Sequence, residues 1–239
     1  MSIGATIHRS FSKLALASAV CGFMALNAAP AEASFVFGYT GGNNDADDTK
    51  ELIINGAAGS TTLNATDSGW YDSSGFHNAT NKNYIAGNSG TNYNDYFVFD
   101  LSNIHGTINS AVLSLSNPNI GFSGTPGAYS LHDVSTPVSN LITTQSAALS
   151  VYTDLGTGTT YGVKNVDSSL NGQQVNINLN PFALAALQSG EGNSFAFGGT
   201  LGTHLASVPL PAGFPMFAAA LAAMFGYVQF TRKRNAVAV

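Results

Sequence analysis

The chain has 239 residues, of which only 9% are charged; 8 Lys and Arg face 13 Asp and Glu, for a formal net charge of −5, and there is a single cysteine. So few cations give little hold on nucleic acid or anionic lipid headgroups, both of which are bound through Lys and Arg. One cysteine also excludes an internal disulfide and a Cys-ligated zinc centre.

At the N-terminus, His8, Arg9 and Lys13 are followed by an apolar run over 14–26 and then Ala31-Glu32-Ala33. A positive region, a short apolar region and a small-x-small site predict a secretory signal peptide over 1–33, with signal peptidase reading Ala31 and Ala33 and cutting after Ala33. The run is short for a membrane span, which takes about 20 residues. Cys21 leaves with this segment. The exported body, 34–207, therefore has no thiol chemistry and is held by its core, with bound ions as the remaining aid.

Within that body Lys50, Lys82 and Lys164 stand against twelve acids, giving 3 − 12 = −9. Cations or neutral glycans suit such a surface better than polyanions. The segment 42–51 places Asp45, Asp47 and Asp48 close together, hard oxygen ligands of the kind calcium takes. It lacks the glycine and ligand spacing of an EF-hand, and Lys50 sits within it. A solvated acidic loop is the default reading, with no cofactor, and calcium is the alternative.

Period-two alternation of apolar and polar residues predicts strands at 35–39, 51–54, 96–101, 111–116, 129–134, 149–153, 159–163, 174–179 and 194–197. The run 174–179 is the clearest, with Val175, Ile177 and Leu179 alternating with Asn176 and Asn178. Turn signals at Gly41-Gly42, Asn117-Pro118, Gly156-Thr-Gly158, Asn171-Gly172 and Gly198-Gly199 separate many of these runs. Many short strands at this spacing predict an all-β fold, a β-sandwich or jelly roll. One short helix is expected near 181–189: Asn180 is a good N-cap, Pro181 suits the first helical position and Gly190 stops the run.

The densest aromatic stretch runs over 69–77, with Trp70, Tyr71 and Phe76 among Ser, Gly and Asp, and continues to Tyr84, Tyr93 and Tyr96. Exposed rings beside amides would make a glycan platform, whereas buried ones would close the end of a sandwich core. Four body histidines, His77, His105, His132 and His204, form no H-x-H or H-E-x-x-H pair, so no metal site is expected from local spacing. No nucleophile elbow or P-loop appears, and no enzyme activity is expected. A matrix-polymer hydrolase would need carboxylates such as Asp72, Asp95 and Asp100 to converge in one cleft.

The passage 97–115, Phe-Val-Phe-Asp-Leu-Ser-Asn-Ile-His-Gly-Thr-Ile-Asn-Ser-Ala-Val-Leu-Ser-Leu, is similar to one in jelly-roll domains of carbohydrate-binding and DNRLRE-type modules. That resemblance implies the fold more than a ligand, because one fold serves many functions.

At the C-terminus, Val208-Pro209-Leu210-Pro211-Ala212 leads into an apolar segment over 214–230 and then Arg232-Lys233-Arg234. Its 17 residues (230 − 214 + 1) would cover roughly 25 Å as a helix, a thin membrane span. The basic triplet fixes its C-terminal end in the cytoplasm. Pro209 and Pro211 hold their own φ and extend the residues before them, which keeps the strip apart from the span and open to a peptide-cleaving enzyme. The three features in this order resemble the Val-Pro-Leu-Pro-Ala variant of the PEP-CTERM sorting signal, over 208–239. The resemblance implies that an exosortase cleaves near the motif and passes the protein to the cell surface or matrix of a Gram-negative-type bacterium that makes exopolysaccharide. On this reading the body is a non-enzymatic envelope or matrix protein; the alternative is a carbohydrate-binding module carried by the same tail. The neutral end 235–239 extends past the point where such tails often stop.

Overall fold

The computed structural model describes residues 35–38, 49–57 and 59–203. The signal peptide with Ala31 and Ala33, the acidic loop with Asp45, Asp47 and Asp48, His204, and the tail with its Pro motif, apolar segment and basic triplet all lie outside the described residues. Among the described residues no helix is long and apolar enough to cross a membrane.

The described chain is all-β, with few and short helices. Twelve strands run in order: β1 (Phe35–Phe37), β2 (Lys50–Gly56), β3 (Gly59–Asn64), β4 (Asp67–Asp72), β5 (Ala86–Asn88), β6 (Asn92–Asp100), β7 (Ile108–Ser116), β8 (Phe122–Ser123), β9 (Gly127–Asp133), β10 (Thr160–Val166), β11 (Gln174–Asn178) and β12 (Ser194–Thr203). Between β9 and β10 lie α1 (Val138–Leu141) and α2 (Leu149–Asp154), and α3 (Pro181–Ser189) lies between β11 and β12. An eight-stranded sheet has the order β10-β9-β12-β6-β5-β1-β8, with β4 also paired to β6, and a four-stranded sheet has the order β11-β7-β2-β3. Every pairing is antiparallel.

Side-chain alternation explains how both sheets feed one core. In β6, Phe97 and Phe99 turn to the same side as Phe197 of β12, and they share a cluster with Leu113 and Leu115 of β7, Leu52 and Ile54 of β2, and Val175 and Ile177 of β11. The other face of β6 is buried as well. Tyr96 and Val98 pack with Tyr71 of β4, Ala196 of β12, and Leu141, Val151 and Leu155 of the segment that carries α1 and α2. β6 is therefore covered on both faces, which is why its apolar residues run almost without interruption.

Two sequence expectations are corrected. The run 149–153, read as a strand from the alternation of Leu149, Val151 and Thr153, is helical in α2. Leu149 is exposed while Val151 and Leu155 are buried, so the apolar pair that matters is spaced by four and faces the sheet once Leu155 is counted. Gly198-Gly199, read as a turn, lies inside β12. A Cβ on Gly198 would run into the backbone of Leu155, and one on Gly199 would collide with Tyr129 and Asp95, so these glycines serve close approach on both faces of a strand. The helix expected at 181–189 forms: the Asn180 side chain accepts from the Ala183 amide at 3.1 Å, Pro181 opens the helix and Gly190 ends it.

Candidate functional site

The aromatic stretch folds as the edge strand β4 and the turn after it, and alternation sends its rings to opposite faces. Tyr71 is fully buried. Its ring stacks on His77 at 4.6 Å between centroids, and its hydroxyl donates to the Leu141 carbonyl at 2.9 Å, so it offers no face to a ligand. Burial also pushes its hydroxyl pKa up to about 12. Trp70 points the other way and is half-buried, meeting Tyr93 edge-on at 5.2 Å and Phe76 at 6.2 Å. Phe76 is 41% exposed. The turn that presents it is rigid, because Asp72 Oδ1 accepts from the Ser74 amide, the Ser74 hydroxyl and the Phe76 amide at 2.6–3.0 Å. Of the three rings that would make a glycan platform if exposed, Trp70 and Phe76 come together at the surface and Tyr93 joins them, while Tyr71 belongs to the core.

Behind this patch runs a chain of polar side chains that local spacing gave no means of finding. His77 is buried; its Nδ1 lies 2.8 Å from the Trp70 carbonyl and its Nε2 3.2 Å from the Tyr96 hydroxyl. Tyr96 also reaches Asp67 Oδ1 at 3.1 Å, and Lys82 pairs with Asp67 Oδ2. With its Nδ1 hydrogen on the carbonyl, neutral His77 leaves Nε2 as an acceptor that competes with Asp67 Oδ1 for the one Tyr96 hydroxyl hydrogen. Burial holds its pKa below the ordinary histidine value despite the Trp70 carbonyl and Asp67. The group ties β4 to the loop that follows it and reaches the surface at Lys82.

A second buried group sits in the main core. Asp95 of β6 is fully buried, and Tyr129 of β9 donates to its Oδ1 at 2.6 Å. Its Oδ2 has no hydrogen-bond partner. Burial pushes the Asp95 pKa up to about 7, only partly offset by the Tyr129 hydroxyl, so much of the carboxyl stays protonated near neutral pH. The three carboxylates that a hydrolase would need do not converge. Asp72 is spent on its own turn, Asp95 is out of water, and Asp100, at the end of β6, lies five residues or about 17 Å further along the strand.

The described histidines form no metal-binding group either. His77 is in the chain described above, and His132 of β9 lies 3.2 Å from the Thr200 hydroxyl. Among the described residues no group of three His, Cys, Asp or Glu could hold a metal ion. No family model matches the chain, and neither a curated protein nor a solved structure is significantly similar to it.

Proposed function

We propose that the chain is an exported, non-enzymatic protein of the cell envelope or extracellular matrix, delivered by a C-terminal exosortase sorting signal. The observation that carries this reading is the order of features at 208–234 in the sequence: the Pro motif, then an apolar segment, then a basic triplet. The Pro motif begins five positions after Thr203, the last residue of β12. β12 is an interior strand, paired to β6 on one side and β9 on the other. A tail leaving such a strand can be cut without removing any part of the sheets. The body suits life outside the cytoplasm through its freedom from thiols and its surface of amides and hydroxyls. The two sheets sharing one core fit a jelly-roll sandwich of the carbohydrate-module type.

Replacing Pro209 and Pro211 together with Ala should free the strip from its fixed extended geometry and spoil it as a substrate for the processing enzyme. The expected result, read on an immunoblot of membrane and medium fractions, is an unprocessed form held in the membrane. Maturation at the wild-type rate would refute the reading.

A second reading is a carbohydrate-binding module on the same tail. It is favoured by the partly exposed cluster of Trp70, Phe76 and Tyr93, held on the turn that Asp72 fixes.

A further inference from the structure

One cleft in the molecule is framed by the sheet itself. Pairing between β9 and β12 stops at Asp133 opposite Phe197, while β12 goes on pairing with β6 down to Ser194 opposite Asp100. Beyond Asp133 the chain is pulled aside: Asp154 accepts from the amides and hydroxyls of Ser135 and Thr136 at 2.6–3.0 Å. The gap left beside 194–196 is a cleft of about 370 Å³, walled by 133–138 and Tyr161.

The chemistry at its walls is specific. Asp133 is its single charged residue. Asp133 Oδ1 accepts from the Thr159 amide at 2.6 Å, and among the described residues neither its Oδ2 nor the Tyr161 hydroxyl has a hydrogen-bond partner. Tyr161 sits at a bulge, where the register of β10 against β9 shifts between Thr160 and Gly162. Bulges re-aim side chains, and this one lays the Tyr161 ring over Phe195 at 6.3 Å and 29° between planes. Tyr161 is buried and Phe195 half-buried, so the cleft offers an uncommitted carboxylate oxygen, the hydroxyl end of a core tyrosine and one partly exposed aromatic ring.

We propose that this cleft binds a hexopyranose unit of an uncharged polysaccharide, with Asp133 and Tyr161 bonded to ring hydroxyls and Phe195 against the C–H face. A pyranose matches the site because it has an apolar face and a rim of hydroxyls that both donate and accept. The volume lies at the small end of ligand sites, suited to one or two sugar rings. A metal ion would find one carboxylate, and a polyanion would be repelled by a body of charge −9 (3 − 12). The proposal shares its ligand class with the second reading above and none of its residues; export is what would bring the cleft to its ligand.

The test is affinity electrophoresis of the full chain in native gels containing dextran, galactomannan or mixed-linkage β-glucan, with alginate as the anionic comparison. At least one neutral polymer should retard the protein, and alginate should not. Asp133→Asn keeps the acceptor for Thr159, and Tyr161→Phe removes one hydroxyl, so both should melt as wild type does. Each should weaken retardation about fivefold, the scale of one lost hydrogen bond. Trp70→Ala should leave retardation unchanged. The proposal is overturned if no neutral polymer retards the wild type, or if both cleft variants bind as it does. Loss in Trp70→Ala alone would move the site to the aromatic patch, and retardation relieved by tetramethylammonium would mark a cation site instead.

Discussion

Asp95 is the residue at which burial and charge conflict most sharply. A carboxylate out of water is disfavoured, one hydrogen bond from Tyr129 offsets only part of the cost, and Oδ2 is left without a partner. With a folded pKa of about 7 against an ordinary 3.8, the folded state binds the proton more tightly than the unfolded chain. This contribution is fully present below about pH 3.8 and is lost as pH rises towards 7, on the order of a few kcal/mol in all. His77 acts in the opposite sense: its lowered pKa favours the fold above the ordinary histidine value and withdraws that support as pH falls. The readout is therefore the difference between wild type and Asp95→Asn, which mimics the protonated acid. Urea midpoints should show the variant gaining on the wild type between pH 4 and 7, and parallel curves across that window would contradict the account. Sequence reading could count Asp95 only as one acid among several. Its partners, Tyr129 and Gly199, come from strands far along the chain, and no local pattern announces them.

At the scale of elements, the parts legible in advance were those whose signals are local. α3 was readable because Asn180, Pro181 and Gly190 act through their own backbone positions. Asn180→Ala removes the cap on the Ala183 amide and the Nδ2 bond to the Thr160 carbonyl. A loss of about 1–2 kcal/mol is expected in chemical denaturation, whereas an unchanged midpoint would show that the cap is idle. β7 and β11 were legible because alternation of apolar residues survives in strands with one face on the core, and β6 because Phe97, Phe99 and Leu101 mark one face even though both are buried. β3 was missed because Gly59-Ser-Thr-Thr-Leu-Asn64 is an edge strand with one half-buried apolar side chain, Leu63. β4 was missed because Asp67-Ser-Gly-Trp-Tyr-Asp72 reads as a turn with aromatics, and only pairing with β6 makes it a strand. α2 was misread because its partner face, the outer side of β6, comes from a strand some fifty residues earlier. The cleft at Asp133 and Tyr161 had no sequence signal at all, since it depends on where β9 leaves β12.

For the whole molecule, the proposed function sets a thiol-free β body between two ends that would direct its traffic. Everything said of destination rests on two short segments whose chemistry is local, so reading them needed no fold. The body says less about its role, because most of its buried polar groups bond to neighbouring strands and loops and few of its residues are charged. On the proposed function, the apolar segment 214–230 is a temporary hold in the membrane. This reading is tested most directly by mass spectrometry of the protein recovered separately from membranes and from culture medium. The released form should begin at Ser34 and end near the Val208–Ala212 motif, with the apolar segment gone. A released or surface form that still carries 214–234, or one that still begins at Met1, would contradict it.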